Sequence, residues 1–196
     1  MGEIKSALEL ALEKTNNVKS DRTLIIKNEA DEAGRKAAFE FLEEGSTKLS
    51  ALEAKIKAAD KENRQWVKEG MFKVFISNLK LPEDKSSFEK IGRLKEGFSA
   101  IAEKKKEVLF LFDQIETLFN NYLQNKTSAV EKLKNSYARK LKEKEIALSQ
   151  QLGKEVHLKP ENDPEFLEYL QKTIGQLDEQ FQEVLIKVKE ELKKRI

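Results

Sequence analysis

Ten positions limit what this chain can fold into. Ile91, Leu94, Phe98, Ile101, Lys105, Val108, Phe112, Ile115, Phe119 and Tyr122 follow one another at alternating steps of three and four. That spacing keeps side chains on one side of a helix and places them against a neighbouring helix as knobs in holes. A strand would need a step of two, so this stretch excludes a sheet. Two further runs have the same rhythm. Leu49, Leu52, Ile56, Ala59, Asn63 and Trp66 form one, and Leu167, Leu170, Ile174, Leu177, Phe181, Val184 and Val188 form the other. Three seams in one chain predict an all-α fold, an elongated antiparallel helical bundle built from coiled-coil hairpins.

Composition agrees. Of 196 residues, 37% are charged and 8% aromatic, and cysteine is absent. Heavy use of Glu, Lys, Leu and Ala is the profile of long helices. Disorder also favours charge, but it does not space its apolar residues regularly.

The punctuation divides the chain into an N-terminal short helix and linker over 1–28 and a helical bundle over 29–196. Helices are expected over 29–44, 47–79, 87–124, 128–152 and 163–195, with one continuous helix over 87–152 as the alternative. Asn16–Asn17 reads as the end of a first helix, and Gly45 as the stop of the second. Gly70 marks a bend where the stripe shifts to Val67, Met71, Val74 and Phe75, and Pro82 ends that helix near Leu79. Leu109, Phe110, Leu111, Leu118 and Leu123 widen the next stripe, so 108–123 should be the most buried segment. Ser128 and Glu131 fit a capping box, which favours a break near Asn125. Gly153–Asn162 is the clearest loop, after which Asp163 caps the last helix and Pro164 takes its first position.

The opening EIKSALELALEKT puts Ile4, Leu8 and Leu12 on one stripe. At about 12 residues such a helix is marginal alone in water. These three residues are therefore the candidate interaction surface, docking on the rest of the protein or on a second copy. The same opening resembles that of a family of uncharacterised bacterial all-helical proteins. The resemblance implies a bacterial helical protein and carries no activity.

The inventory excludes several chemistries. Net charge is +2, from 37 basic and 35 acidic residues, so no global field favours nucleic acid or an anionic membrane. His157 is the single histidine, and a di-iron bundle needs two. An ordinary zinc site lacks its cysteines and a second imidazole. No P-loop or dinucleotide fingerprint occurs; GRLKEG, Gly92–Gly97, lacks the following lysine and lies inside a seam. Catalytic, cofactor-binding and metal residues are accordingly none, and no cofactor is expected. VLFLF, Val108–Phe112, is the longest apolar run. It falls far short of the roughly 20 residues of a membrane span. Glu3, Glu9 and Glu13 interrupt any secretory signal, and a cytoplasmic location is expected.

Two functions remain. The first is a non-enzymatic interaction or scaffold protein that self-associates as a homo-oligomer or binds a protein partner. The alternative is a helical module that binds nucleic acid or an anionic membrane surface through the basic segment 126–146. Its candidate patch is Lys132, Lys134, Arg139, Lys140, Lys142 and Lys144. Within the hairpin of 47–79 and 87–122, a turn near Glu83 would place Phe75 opposite Gly92 and Trp66 opposite Ile101. Asn63 and Lys105, the polar interruptions of their seams, would then share one level and form a polar layer that sets register.

Overall fold

The structure, a computed structural model, describes residues 7–43 and 48–196, with side chains from Arg22 onward. Among these it contains six α-helices: α1 Ala7–Leu42, α2 Leu49–Ala58, α3 Arg64–Asn78, α4 Ser87–Ile101, α5 Lys105–Leu152 and α6 Pro164–Lys193. A short 3-10 turn, Pro160–Asn162, precedes α6. No strand occurs among the described residues, and the fold is all-α, as the seams require.

The chain divides into two compact units. One comprises residues up to Leu79 with Lys90–Leu109 and Lys193–Ile196; the other comprises Lys80–Glu89 and Phe110–Leu192.

The first unit is organised by backbone contact between α1 and α3. A Cβ added at Gly34 would lie 2.0 Å from the Val67 carbonyl oxygen, and one at Gly70 would lie 2.1 Å from the Asp31 carbonyl oxygen. Only glycine at both positions lets the two helices approach this closely. Phe41 meets Phe75 further along, with ring centroids 6.2 Å apart. Contacts therefore advance together on both helices, which run in the same direction. Ala37, Ala38, Phe41, Val67, Met71 and Phe75 are buried at this crossing. Asp31 is buried beside them and is bound by Lys73 and Arg35. Burial alone would push its carboxyl up. The two cations outweigh that and hold it below the usual range.

Two expected seams are interrupted. The stretch 47–79 is two helices, broken over Ala59–Asn63. Arg64 holds the break: its guanidinium donates to the carbonyls of Ile56, Lys57 and Ala59 at 3.1, 3.2 and 3.3 Å. Those carbonyls end α2 and have no partner within it. The bend thus falls at Ala59–Asn63, while Gly70 lies inside a continuous α3. The expected helix over 87–124 likewise breaks over Ala102–Lys104, between α4 and α5. There the N–H of Glu103 donates to the Arg195 carbonyl at 3.1 Å, and Arg195 Nε pairs with Glu107 at 3.0 Å.

α4 packs antiparallel on α3 in a register displaced from the expected one. Phe75 contacts Gly97, where a Cβ would come within 2.7 Å of the ring, whereas Gly92 has nothing within 4 Å. Phe72 and Phe75 both pack on Phe98, at centroid distances of 5.8 and 5.6 Å. A ring does face a glycine, but five residues further along than a turn centred at Glu83 implies. The link between α3 and α4, residues 79–86, is longer than a tight turn and is non-helical throughout.

Elsewhere the helices are longer than expected. α1 is one helix through Asn16–Asn17 and through 16–28, so the separate short helix and linker are absent. Asparagine costs a helix only about 0.7 kcal/mol at most relative to Ala, and no Gly or Pro interrupts this stretch. α5 likewise passes Asn125 without a break, and Ser128–Glu131 lies in its interior. The prediction for 108–123 holds on one face only. Val108, Phe112, Ile115 and Phe119 are fully buried, but Phe110 is 63% exposed. Gly45, with Ser46 and Thr47, lies outside the described residues.

The second unit is a hairpin of α5 and α6. Tyr122 packs on Phe181 at 5.3 Å and Tyr137 on Phe166 at 5.4 Å. The step of fifteen residues is the same on both helices and opposite in sense, so the pair is antiparallel and without a slip. Gly153, at φ 63°, stops α5 in the left-handed conformation that glycine adopts without strain. Among the described residues no helix is long and apolar enough to cross a membrane.

Gly34→Ala and Gly70→Ala should each destabilise the protein by about 1–3 kcal/mol or more, because the added methyl meets backbone oxygen that cannot rotate away. Gly92→Ala should instead stabilise it, by up to about 1 kcal/mol. Urea melts of the three variants measure both signs.

Candidate functional site

The basic segment folds against its own counter-charges. The chain returns from α5 into α6 with three carboxylates in five residues, Glu161, Asp163 and Glu165. Lys134 meets Glu161 at 2.6 Å, Lys140 meets Glu165, and Lys144 meets Asp163 at 2.6 Å and Glu165 at 3.0 Å. Arg139 pairs along its own helix with Glu143 at 3.2 Å. Lys132 and Lys142 are exposed on α5. Half of the sequence-predicted patch thus pairs with carboxylates at the hairpin's end, Lys134 and Lys140 while still exposed and Lys144 partly covered.

Tyr137 sits at the middle of this cluster and is buried. Its hydroxyl donates to Asp163 Oδ2 at 2.9 Å and accepts from Lys144 Nζ at 2.9 Å. Asp163 also caps α6, its Oδ1 accepting the Glu165 N–H at 3.0 Å. Two backbone donors of the loop add to the closure: Val156 N–H to Ser149 Oγ at 2.9 Å, and Leu158 N–H to Glu145 Oε1 at 2.7 Å. The electrostatics follow. The Lys140 and Lys144 ammonium groups pull the Glu165 carboxyl down to about 2. The Asp163 and Tyr137 contacts raise Lys144 above its ordinary value. A second tyrosine repeats the theme at 122. Burial, then the hydrogen bond to Asp178 at 2.7 Å, pushes its phenol up to about 12. These groups close a hairpin.

His157 is exposed in the loop, with Nε2 3.6 Å from Glu155. Among the described residues no three His, Asp or Glu side chains converge as metal ligands do. A groove of about 520 Å³ runs between Glu83–Lys85 and α5, floored by Leu123, Thr127 and Val130. Its rim carries both signs of charge, which selects no ligand class.

Asn63 stands immediately before α3, and Lys105 is the first residue of α5 and exposed. Both polar interruptions therefore mark helix breaks, where backbone groups need partners, and the two continuous seams that a register layer would join are not present. Ile4 lies outside the described residues. Leu8 and Leu12 fall on α1, and their side chains are likewise outside the described ones.

What the sequence reading passed over is the outer face of α1. Every residue from Arg22 to Glu29 is exposed. Within it Leu24, Ile25 and Ile26 are 55%, 56% and 43% exposed. Three consecutive aliphatic side chains in water are unusual on a protein surface. They read as TLII in the sequence, which is equally compatible with a strand, so their helical exposure was not legible there.

Glu165 stabilises the folded hairpin fully above about pH 4.5, its ordinary value. That contribution is lost as pH falls from there towards 2, because over this range the unfolded state takes up a proton that the folded carboxylate still excludes. Thermal melts from pH 5 to pH 2 should show a fall in Tm that is smaller in Glu165→Gln. At neutral pH, Lys144→Met should lower Tm, and Lys142→Met should leave it unchanged.

No curated protein and no solved structure matches this chain. A family described as a family of unknown function, DUF6657, matches residues 53–194. The match covers α3 to α6 whole and begins beyond the opening EIKSALELALEKT. On that match, which spans well over half of its length, the chain belongs to this family.

Proposed function

We propose that this protein is a non-enzymatic helical interaction or scaffold protein that associates with itself. The observation that carries the reading is the exposed stretch 22–29 of α1, where Ile25 and Ile26 on one side and Leu24 on the other are about half exposed on a helix whose other end is tightly packed. Burying such side chains against a partner is favourable by about 25 cal/mol per Å² of apolar surface. No cofactor enters this reading, and a bacterial cytoplasmic setting is proposed with it. The alternative, an anion-binding role for 126–146, has less support. Lys134, Lys140 and Lys144 are already engaged by carboxylates, which leaves little free positive charge to displace counterions from phosphate.

Light scattering on the purified chain over a range of concentrations tests the proposal. The expected mass is a multiple of 22.6 kDa that falls on dilution. A mass of one chain at every concentration would overturn it. A gel-shift titration at low salt should show no nucleic-acid binding, and a steep salt-dependent affinity would favour the alternative.

A further inference from the structure

We propose that the second copy binds on the outer face of α1, with the two α1 helices antiparallel about a twofold axis between Ile25 and Ile26. The inference rests on self-association and names its surface.

Charge order on the helix sets this arrangement. Arg22 and Glu29 are exposed, of opposite sign, seven residues apart and so on the same side of the helix. They lie on either side of Ile25 and Ile26. In an antiparallel pair centred there, Ile25 meets Ile26 of the second copy, and Arg22 meets the second copy's Glu29. Symmetry repeats each contact, giving two ion pairs around one aliphatic centre. Lys19 and Glu32 continue the same order one turn outward in the sequence. A parallel pair would instead set Arg22 against Arg22 and Glu29 against Glu29, which is repulsive at both ends. A face that carries both halves of every pair, arranged evenly about a point, is self-complementary in the sense that a twofold interface demands. On the same count the backbone of position 33 in one chain lies level with that of position 18 in the other, and the small exposed Ala33 suits close helix approach.

The face is also free to do this. α1 buries Asp31, Gly34, Ala37, Ala38 and Phe41 against its own unit, whereas residues 22–29 continue the helix with no residue buried. An exposed helical segment is only marginally stable in water, and a second helix alongside would supply the missing packing.

The chain has no cysteine, so single introduced thiols report position cleanly. Full-length Ile25→Cys should form a disulfide-linked dimer under mild oxidation. Val18→Cys alone and Ala33→Cys alone should not, because antiparallel pairing puts each about 22 Å from its own copy along the axis. A mixture of Val18→Cys and Ala33→Cys chains should cross-link. Arg22→Glu and Glu29→Arg should each raise the dimer dissociation constant by roughly tenfold or more, and the double exchange should restore it. Cross-linking of Val18→Cys and Ala33→Cys with their own copies would overturn the antiparallel arrangement. A dimeric mass without cross-linking at Ile25→Cys would overturn the surface while leaving self-association intact. A wild-type chain that stays monomeric would overturn both. Helical circular dichroism of each variant confirms that it is folded.

Discussion

In the first unit two backbones lie directly against each other. Where α1 crosses α3, Gly34 faces a carbonyl of α3 and Gly70 faces a carbonyl of α1, with no room for a methyl group on either side. That proximity sets the direction of α3 along α1, brings Phe41 to Phe75, and through Phe75 and Phe98 positions α4. It also brings the Asp31 carboxylate into a site where burial is tolerable only because Lys73 and Arg35 supply the opposite charge. With small residues at the crossing, the helices gain dispersion contacts along their length rather than through a few large side chains.

The second unit solves a different problem. Two helices alone bury only one stripe each, so many seam residues of α6 stay half-exposed and packing gives limited specificity. Register comes instead from polar and aromatic groups at fixed heights. Tyr122 with Phe181 and Asp178 forms one level; Tyr137 with Phe166, Asp163 and Lys144 forms the other. A slip by one turn would separate each hydroxyl from its carboxylate at a site poor in water, which carries the cost of an unmade hydrogen bond. The excess of lysine over 126–146 is therefore balanced in the fold, by acids that the chain places at the start of α6.

The contrast with α1 explains why function points there. At the hairpin's end, charges meet partners within the chain. On α1, by contrast, Arg22, Ile25, Ile26 and Glu29 are exposed, which is the basis of the proposed reading as an interaction protein.

The sequence alone determined the helical class, the start of α6 at Asp163–Pro164 and the loop at Gly153, because these depend on local spacing, capping and backbone freedom. It could not separate a seam that continues from one that breaks. Asn63 and Lys105 keep perfect heptad spacing, yet both stand at helix ends, and the reason is non-local: Arg64 reaches back over α2, and Arg195 arrives from the far end of the chain. Nor could it see that Gly34 and Gly70 would touch, since a glycine inside a helix reads as a weak point until another backbone lies against it. The basic patch followed the same rule. Its lysines were legible as a local excess, but whether they would pair with the carboxylates 19 to 27 residues away depended on the hairpin closing, and only the tertiary structure decided that.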